Sequence, residues 1–388
     1  MDKVRFGIIG LGNQGSYYAL NLFKKGLIVD GVITAMCDVN PSKIERMQKE
    51  FPENVTFFDD YVKMIESGLV DAVLVETPHY SHPEIVTTCL EHNVHVICDK
   101  PAGVYAKQVR EMNEKAKKSN AIFTMMFNQR TYCLYRKMHQ MIRDGELGTL
   151  QRVTWKITNW YRTEQYYNSG SWRATWSGEG GGVLINQCPH QLDLLQWIVG
   201  ELPVRVNGFC KYGKWHDIEV EDEVTAYFEY KNGATGVFIT TTGEAPGTNR
   251  FEISGSLGKL VCEKGKLLFY KNNADAIAHS KTCPSGFSSP DFEIIEVETD
   301  GLNTEHMGII NNFVATLLGK EELFVKGEEG IRGVELMNAI EFSGWKDGAT
   351  VVVPVNEDEY LKILNEKQKN SVLKCVDDNA VADTNNTF

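Results

Sequence analysis

Positive charge is scarce in this sequence: its 388 residues hold 40 lysines and arginines against 52 aspartates and glutamates, for a formal net charge of −12. Nucleic acids and anionic membrane surfaces are bound through basic patches, so we expect neither as a partner. Long apolar runs are also missing, and no stretch approaches the roughly 18 residues that a membrane-spanning helix needs. These absences exclude two broad classes of function, and the acidic charge says nothing further about activity.

Paired cysteines are missing as well. The nine cysteines are scattered, and no two of them form a Cys-x-x-Cys pair. Residues 1–15 are typical of a strand and its loop and not of a secretory signal, so we expect reduced thiols and a cytoplasmic location. Two histidine pairs, His79 with His82 and His92 with His95, lack a third ligand at a convincing spacing. We therefore predict no metal site and assign these histidines structural or surface roles.

A glycine pattern near the start is the most informative feature that is present. Gly10, Gly12 and Gly15 lie between an apolar strand and a helix-like stretch, and Asp38 ends the next apolar strand. This arrangement is the fingerprint of dinucleotide binding, in which the glycines allow a tight turn and close approach of a pyrophosphate. A carboxylate at position 38 binds ribose hydroxyls and repels a 2′-phosphate, so we predict NAD as the cofactor. If Asp38 only caps the next turn, the choice between NAD and NADP stays open.

The first third of the sequence alternates strand-like and helix-like stretches. Short apolar runs predict strands at 4–9, 32–37, 55–58, 72–75, 94–98 and 122–127. Alternation of strands with helices produces a parallel, doubly wound sheet. We therefore predict an α/β protein in which residues 1–128 form an NAD-binding Rossmann domain.

The pattern changes after about residue 132. A strand is predicted at 153–158, and a glycine-rich stretch at 178–182 precedes a helix that we expect to run to about residue 198. Further strands are predicted at 204–212, 224–230, 235–241, 249–254, 258–263 and 266–270, and helices at 135–143, 307–318 and 330–344. Residues 129–372 are therefore predicted to form an α+β domain with a large, mostly antiparallel open sheet for substrate binding and oligomerisation. The polar residues 373–388 are predicted to be a disordered tail.

Two strand ends carry candidate site residues. Thr77 and Pro78 follow the fourth strand, and Asp99 and Lys100 follow the fifth. The carboxyl ends of parallel strands face the ligand crevice, so Thr77 and Pro78 are expected to line the nicotinamide ribose. A lysine beside the nicotinamide would hold a substrate oxygen during hydride transfer. The alternative is a lysine that merely ends a strand.

The run after the glycine-rich stretch is the second strong signal. Asn186, His190 and Asp193 are spaced by four and three residues, which places them on one face if this run is helical. Pro189 inside the run is expected to bend the helix. A polar face that carries a histidine beside a bend favours a site over a packed core.

An aromatic stretch with interspersed charges precedes that run. Aromatic rings stack on the C–H face of a sugar, and charged or amide groups bind its hydroxyls. The candidate substrate-binding residues here are Trp160, Tyr161, Arg162, Trp172 and Arg173. Core packing is the alternative for some of the rings, Trp155 among them.

Taken together, these motifs resemble the Gfo/Idh/MocA oxidoreductase family, which includes glucose–fructose oxidoreductase and inositol dehydrogenase. The resemblance covers residues 4–353. The pieces that carry it are Gly10-Leu11-Gly12-Asn13-Gln14-Gly15, Thr77-Pro78 with His82, Asp99-Lys100-Pro101, and the run from Gly181-Gly182 through His190 to Asp193. It implies that Asn13, Gln14, His82 and Asp99 contact the cofactor along with the residues named above.

The resemblance also assigns roles and shows two departures. It makes Lys100 the catalytic lysine and His190 the acid/base, and it adds Asn186 to the catalytic and substrate-binding residues. The family's Glu-Lys-Pro triplet begins here with Asp99, and the family often has an aspartate where Asn186 stands. The second departure removes a charge from the site and leaves open how His190 is tuned.

The implied function is NAD-dependent hydride transfer to or from a secondary alcohol of a sugar, glycoside or cyclitol, by a homo-oligomer, a dimer or a tetramer. One alternative is an enzyme whose tightly bound NAD is reduced and reoxidised in each turnover, giving net hydrolysis, elimination or epimerisation. Another is a non-catalytic NAD or sugar sensor. The presence of both Lys100 and His190 weighs against the sensor.

Overall fold

The computed structural model describes residues 2–374, and its N-terminal part is built on one parallel sheet. The six strands are β1 (Val4–Ile9), β2 (Gly31–Cys37), β3 (Thr56–Phe58), β4 (Ala72–Val75), β5 (His95–Cys98) and β6 (Phe123–Met125). Their order is β3-β2-β1-β4-β5-β6, and all neighbours are parallel. The predicted Rossmann sheet is therefore confirmed, with a switch in strand order between β1 and β4 where such folds bind their ligands.

Helices cover this sheet. They are α1 (Asn13–Tyr17), which continues as a π-helical segment over Tyr18–Phe23, α2 (Pro41–Glu50), α3 (Tyr61–Glu66), α4 (His82–Glu91) and α5 (Ala106–Ala116). The central strand β4 is apolar and fully buried, and β1 is buried except at Arg5, as expected where helices cover both sides of a sheet. Asn40 caps α2 by accepting a hydrogen bond from the Ser42 N–H at 3.0 Å.

The C-terminal part is built on a nine-stranded sheet. Its strands are β7 (Leu150–Ile157), β8 (Arg205–Tyr212), β9 (Glu221–Glu229), β10 (Thr235–Thr241), β11 (Asn249–Gly255), β12 (Gly258–Glu263), β13 (Lys266–Asn272), β14 (Phe292–Glu296) and β15 (Val351–Val352). They are ordered β14-β13-β12-β11-β7-β10-β9-β8-β15, and only β7 and β10 are parallel neighbours. This sheet confirms the predicted large, mostly antiparallel open sheet.

The remaining helices pack on and around the second sheet. They are α6 (Cys133–Arg143), α7 (Glu164–Tyr167), α8 (Pro189–Val199), α9 (Ala276–Thr282), α10 (Glu305–Leu317), α11 (Gly330–Gly344) and α12 (Glu357–Asn370). Helix α11 contacts β8, α8 and α5, so it reaches from the sheet to the Rossmann helices. The Asn338 side chain on α11 accepts a hydrogen bond from the Ala106 N–H at 2.8 Å and donates to the Val104 carbonyl at 3.1 Å.

Two local predictions are corrected. Helix α8 begins at Pro189, after a series of turns, and does not include Asn186. Pro189 therefore occupies the first turn, where the missing N–H has no helical partner to lose, and it does not bend the helix interior. Helices α7, α9 and α12 and strands β14 and β15 were not predicted.

The predicted tail lies mostly outside the described residues, which end at Lys374. Lys374 itself donates from its N–H to the Ser171 carbonyl at 3.1 Å. Within residues 2–374, no helix is both long and apolar enough to cross a membrane. In the same range, no group of three or more ligating side chains is placed to hold a metal ion.

Candidate active site

The glycine loop between β1 and α1 is shaped by close backbone contacts. Gly10 has φ +97°, and a Cβ atom there would collide with the Glu76 carbonyl oxygen. A Cβ atom at Gly15 would collide with the Gly10 carbonyl oxygen. At Gly12, the N-cap of α1, a Cβ atom would meet nothing within 4 Å. Gly10 and Gly15 therefore fix the loop, and Gly12 leaves open space in front of free helical N–H groups, where a pyrophosphate fits.

Asn13 and Gln14 are the first two residues of α1 and lie beside that open space. Asp38 follows β2 directly and is 7% exposed. Its carboxylate accepts hydrogen bonds from the Leu11 N–H at 2.7 Å and the Asn40 N–H at 2.8 Å. A carboxylate has further lone pairs, so Asp38 can still accept from the hydroxyls of a ribose. The loop and Asp38 together fit a dinucleotide with a free 2′-hydroxyl.

Two cations near Asp38 were missed by the sequence analysis. The Lys43 ammonium lies 3.7 Å from the Asp38 carboxylate, and Arg46 donates to the Leu11 carbonyl at 2.8 Å. Both come from α2, and the only sequence signal for them is their position in the first turns of the helix after Asp38. Arg46 ties α2 to the glycine loop, and Lys43 partly balances the charge of Asp38.

The loops after β4 and β5 are joined by His82. Its ring lies between two carbonyl oxygens, 2.7 Å from that of Thr77 and 2.8 Å from that of Pro101. The loop that holds Thr77 and the exposed Pro78 is thereby fixed to the Lys100-Pro101 loop. His82 is 1% exposed, and both of its ring nitrogens lie against these carbonyl oxygens.

Lys100 follows β5 after Asp99 and reaches the C-terminal domain. Its ammonium donates a hydrogen bond to the Asn186 carbonyl oxygen at 3.0 Å. The two loops that the sequence analysis singled out therefore meet, although they come from different domains.

His190 is the second residue of α8 and is buried. Burial lowers the pKa of His190 well below its usual range, and the positive charge of Lys100 lowers it further. The ring is therefore neutral at physiological pH. Its Nδ1 atom is buried, and no hydrogen-bond partner for it lies among the described residues.

The prediction of one helical face for Asn186, His190 and Asp193 is wrong, because the helix starts three residues after Asn186. Asp193 points to Arg130, which binds both of its oxygens at 2.6 and 2.7 Å. Both side chains are 1% exposed, so this ion pair belongs to the packed interior. Asn186 instead directs its amide to the carboxylate of Glu179.

Glu179 and His306 were both missed by the sequence analysis. Glu179 is 2% exposed and accepts a hydrogen bond from the Ala174 N–H at 2.6 Å. His306 belongs to α10, and its ring centre lies 5.5 Å from that of Tyr18. Burial lowers the pKa of His306 to about 4, Asp99 opposes this shift, and Lys100 adds to it. Nothing in the local sequence of α10 signals that His306 reaches the site.

Glu76 adds a further buried acid beside Thr77. Both of its carboxyl oxygens are buried, and no hydrogen-bond partner for them lies among residues 2–374. Burial raises the pKa of Glu76 well above its usual range, and the charge of Asp99 raises it further.

The aromatic stretch forms alternating contacts between arginines and rings. The Arg173 guanidinium lies 4.7 Å from the ring centres of both Tyr166 and Trp172, and it donates to the Tyr166 hydroxyl at 3.0 Å. Trp172 in turn lies 6.1 Å from the His79 ring, which faces the carbonyl of Glu179 at 3.1 Å. Trp172 and Arg173 therefore lie beside the residues that surround Asn186.

The first part of the stretch is more open. Arg162 lies 5.1 Å from the Tyr166 ring and 5.8 Å from the Trp160 ring. The indole Nε1 of Trp160 and the Nε of Arg162 are buried donors without partners among the described residues. The Tyr161 ring is exposed, and its carbonyl accepts from Arg162 at 3.0 Å. Tyr166 connects this part to the site, since its hydroxyl lies 3.4 Å from the Asn186 side-chain oxygen.

Both parts of the chain match known protein families. Residues 4–127 match an oxidoreductase family with an NAD-binding Rossmann fold, and residues 135–261 match the GFO/IDH/MocA C-terminal domain. The chain is 27% identical over 269 residues to myo-inositol 2-dehydrogenase of Thermotoga maritima, a match that spans 67% of this chain and 75% of that protein. It is 26% identical over 292 residues to levoglucosan dehydrogenase of Pseudarthrobacter phenanthrenivorans, spanning 67% and 74% of the two chains.

Solved structures show the same fold. The WlbA dehydrogenase from Bordetella pertussis, in complex with NADH and UDP-GlcNAcA, superimposes with a TM-score of 0.76 at 22% identity, covering 92% of this chain and 99% of that one. A levoglucosan dehydrogenase in complex with NADH and levoglucosan gives 0.73 at 21% identity, covering 91% and 100%.

Proposed function

The chain belongs to the Gfo/Idh/MocA oxidoreductase family, and from that premise we propose that it transfers a hydride between NAD and a secondary alcohol of a sugar, glycoside or cyclitol. The observation that carries the proposal is that Lys100 donates to the Asn186 carbonyl, four positions before His190, and that its positive charge acts on the His190 ring, whose buried Nδ1 has no partner among the described residues. Gly12, Asp38 and Thr77 would hold the cofactor. Bound NAD supplies the nicotinamide C4 that takes up or returns the hydride.

Lys100 and His190 have different roles at the reacting oxygen of the substrate. His190 accepts the proton of the substrate hydroxyl during oxidation, and it is able to do so because its depressed pKa keeps the ring neutral. Lys100 donates a hydrogen bond to the same oxygen and stabilises the negative charge that develops there. In the reverse direction His190 returns the proton to the carbonyl oxygen.

The substrate class follows from the aromatic stretch and from the relatives. Trp160, Tyr161, Arg162, Trp172 and Arg173 offer rings for the C–H face of a sugar and guanidinium groups for its hydroxyls. The two relatives described above are named for myo-inositol and levoglucosan, and both compounds are polyhydroxylated rings. A polyhydroxylated ring therefore fits this site better than a linear hydroxy acid.

Two broader features belong to the same proposal. We propose a dimer or tetramer because the second sheet leaves apolar side chains exposed on β14, where Phe292 and Ile294 are each 58% exposed. We place the protein in the cytoplasm because the eight cysteines of the described part are free thiols. Light scattering of the purified protein tests the first proposal.

A substrate panel tests the activity. Polyols, aldoses, glycosides and cyclitols are incubated with the enzyme and NAD, and the release of NADH is followed by its absorbance. Steady NADH release on one ring class supports the proposal. NAD that co-purifies and never exchanges, with a substrate that is converted without NADH release, would favour the enzyme that recycles its cofactor. Sugar binding without any conversion would favour the sensor.

Variants at the two reacting side chains sharpen this test. Lys100→Met is expected to lower kcat severely with NAD still bound, because the lysine acts on the reacting oxygen. His190→Ala is expected to lower kcat by roughly 10²- to 10⁴-fold if it is the general base. Near-normal turnover in either variant would remove that residue from its role.

A further inference from the structure

Glu179 makes a chain of contacts that ends at Lys100. One of its oxygens accepts from the Ala174 N–H at 2.6 Å, and the other accepts from the Asn186 amide. The carbonyl oxygen of the same Asn186 accepts from the Lys100 ammonium at 3.0 Å. A single residue therefore separates a buried carboxylate from the proposed catalytic lysine.

The surroundings of Glu179 contain more positive than negative charge. The ionisable groups that face it come from several segments: Arg173, Lys100, Lys374, Glu221 and His79. Of these groups, Arg173 and Lys100 act through their positive charges to lower the pKa of the Glu179 carboxyl group. Glu221 is the opposing negative charge, and burial keeps His79 neutral by lowering its pKa.

The hydrogen bonds favour the ionised form of Glu179. Both oxygens accept from N–H donors, and an ionised carboxylate acts only as an acceptor. Burial acts in the opposite direction and raises the pKa of Glu179 above its usual range. The carboxylate thus titrates at a higher pH than a solvated glutamate.

We propose that Glu179 is a positioning residue for the reaction: it holds Asn186, and through Asn186 it holds Lys100 and supplies the negative charge beside it. Asn186 is neutral and occupies the position where the family often has an aspartate. In this chain the charge lies one side chain further from the reacting atoms, in a residue that contacts the amide directly. The inference rests on the hydride transfer proposed above.

Exchanging the two side chains tests this arrangement. Glu179→Gln keeps an oxygen that can accept from Asn186 but removes the charge. Asn186→Asp keeps Glu179 and places two carboxylates in contact. The double variant Glu179→Gln/Asn186→Asp restores one amide and one carboxylate in reversed order.

The pH profile of kcat/KM for alcohol oxidation is the first readout. Protonation of Glu179 is expected to set the acidic limb, because its pKa is raised and that of His190 is lowered. Glu179→Gln is expected to remove this limb and to lower the plateau by roughly 10-fold or more, through loss of a charge that supports Lys100. The double variant is expected to restore a limb and to recover at least part of the plateau.

The second readout needs no turnover. Thermal unfolding of the apoenzyme at pH 8 is expected to show Asn186→Asp as the least stable variant, since its two carboxylates repel each other, with recovery in the double variant. At pH 5 we expect the loss of thermal stability in Asn186→Asp, relative to the unmodified protein, to be smaller, because one of the two acids is then protonated. If no substrate on the panel is converted, this result still decides whether the two side chains form one pair.

Glu223→Gln is the matched control. It is the same substitution in a carboxylate that accepts from the Lys214 ammonium at 2.6 Å and from the Trp215 indole N–H at 2.8 Å, and it leaves Asn186 and Lys100 untouched. Its acidic limb is expected to match that of the unmodified enzyme. The proposal is overturned if Glu179→Gln keeps the original limb and plateau, or if the double variant is no better than the worse single variant in both readouts.

Discussion

At position 38 one carboxyl group is placed to select the cofactor. Asp38 is held by two backbone N–H groups, and Lys43 and Arg46 lie on the helix beside it. With Asp38 present we expect NAD to be preferred over NADP by on the order of 1–3 kcal/mol, because a 2′-phosphate would face a carboxylate. Asp38→Ser is expected to reduce or reverse this preference, since Lys43 is then free to pair with the phosphate.

The ratio of kcat/KM for the two cofactors, together with their dissociation constants, measures this preference. Asp358→Ser serves as the control, because Asp358 is an exposed aspartate of α12 whose ion-pair partner is Lys107 on α5. Comparable kcat/KM values for NAD and NADP in the unmodified enzyme would contradict the role given to Asp38.

The residues that the sequence could reveal are those with a local signature. Asp38, Thr77 and Lys100 each follow an apolar strand, so their position at the ligand edge follows from the alternation of strands and helices. Glu179 and His306 have no such signature. Glu179 reaches Asn186 through irregular turns, and His306 reaches the site only because α10 packs against the Rossmann domain near Tyr18.

Among the elements, regular strands were the easiest to predict. The predicted bounds 4–9, 72–75, 235–241 and 258–263 coincide with β1, β4, β10 and β12. Strand β14 was not predicted because all five of its residues are exposed and its apolar and polar residues do not alternate. The start of α8 was misjudged because the turns before Pro189 place residues at nearly helical spacing, and periodicity alone does not separate the two.

The segment after α12 is hydrogen-bonded to the end of the aromatic stretch. The Ser371 hydroxyl accepts from the Ser177 N–H at 3.0 Å and donates to the Glu219 carboxylate, which also holds the Trp176 N–H. Ser371→Ala removes this link next to Trp172. We expect KM for the alcohol substrate to rise about 3- to 10-fold, as the loss of ~1 kcal/mol of hydrogen bonding would give, with the NAD dissociation constant unchanged.

Steady-state kinetics and calorimetric titration of NAD separate the two effects. Ser280→Ala is the control, since the Ser280 hydroxyl donates to the Ile277 carbonyl at 3.0 Å within its own exposed helix. An equal change in the NAD and substrate constants would mean that Ser371 supports the whole fold and not the substrate loop.

At the scale of the whole molecule, buried polar groups join the two sheets. Arg130, just after β6, pairs with Asp193 on α8, and Asn338 on α11 holds the start of α5. Such groups stabilise the assembly only with their partners in place, because an unpaired buried charge is strongly destabilising. The reach of Lys100 into the second domain therefore depends on this fixed junction.

A second buried cluster makes stability depend on pH. Glu221 accepts from the Gly182 and Leu184 N–H groups, and burial raises the pKa of Glu221 to about 7. Glu341 accepts from the Tyr360 hydroxyl, and burial together with the charge of Glu221 raises its pKa well above the usual range. Lys367, which lies on α12, opposes this rise in the pKa of Glu341 through its positive charge.

Because both folded-state pKa values are raised, the native state binds more protons than the unfolded chain, and stability is lost as the pH rises through about 7. We expect the Tm of the unmodified protein to fall between pH 6 and pH 8 and that of Glu341→Gln to fall less, because this variant removes one of the two facing acids. Glu359→Gln, at an exposed acid on α12 that pairs with Lys346, is expected to follow the unmodified protein. Calorimetry across this pH range measures these Tm values. Parallel Tm curves for Glu341→Gln and the unmodified protein would show that both acids stay protonated or that solvent reaches them. The cluster would then have no part in the pH dependence.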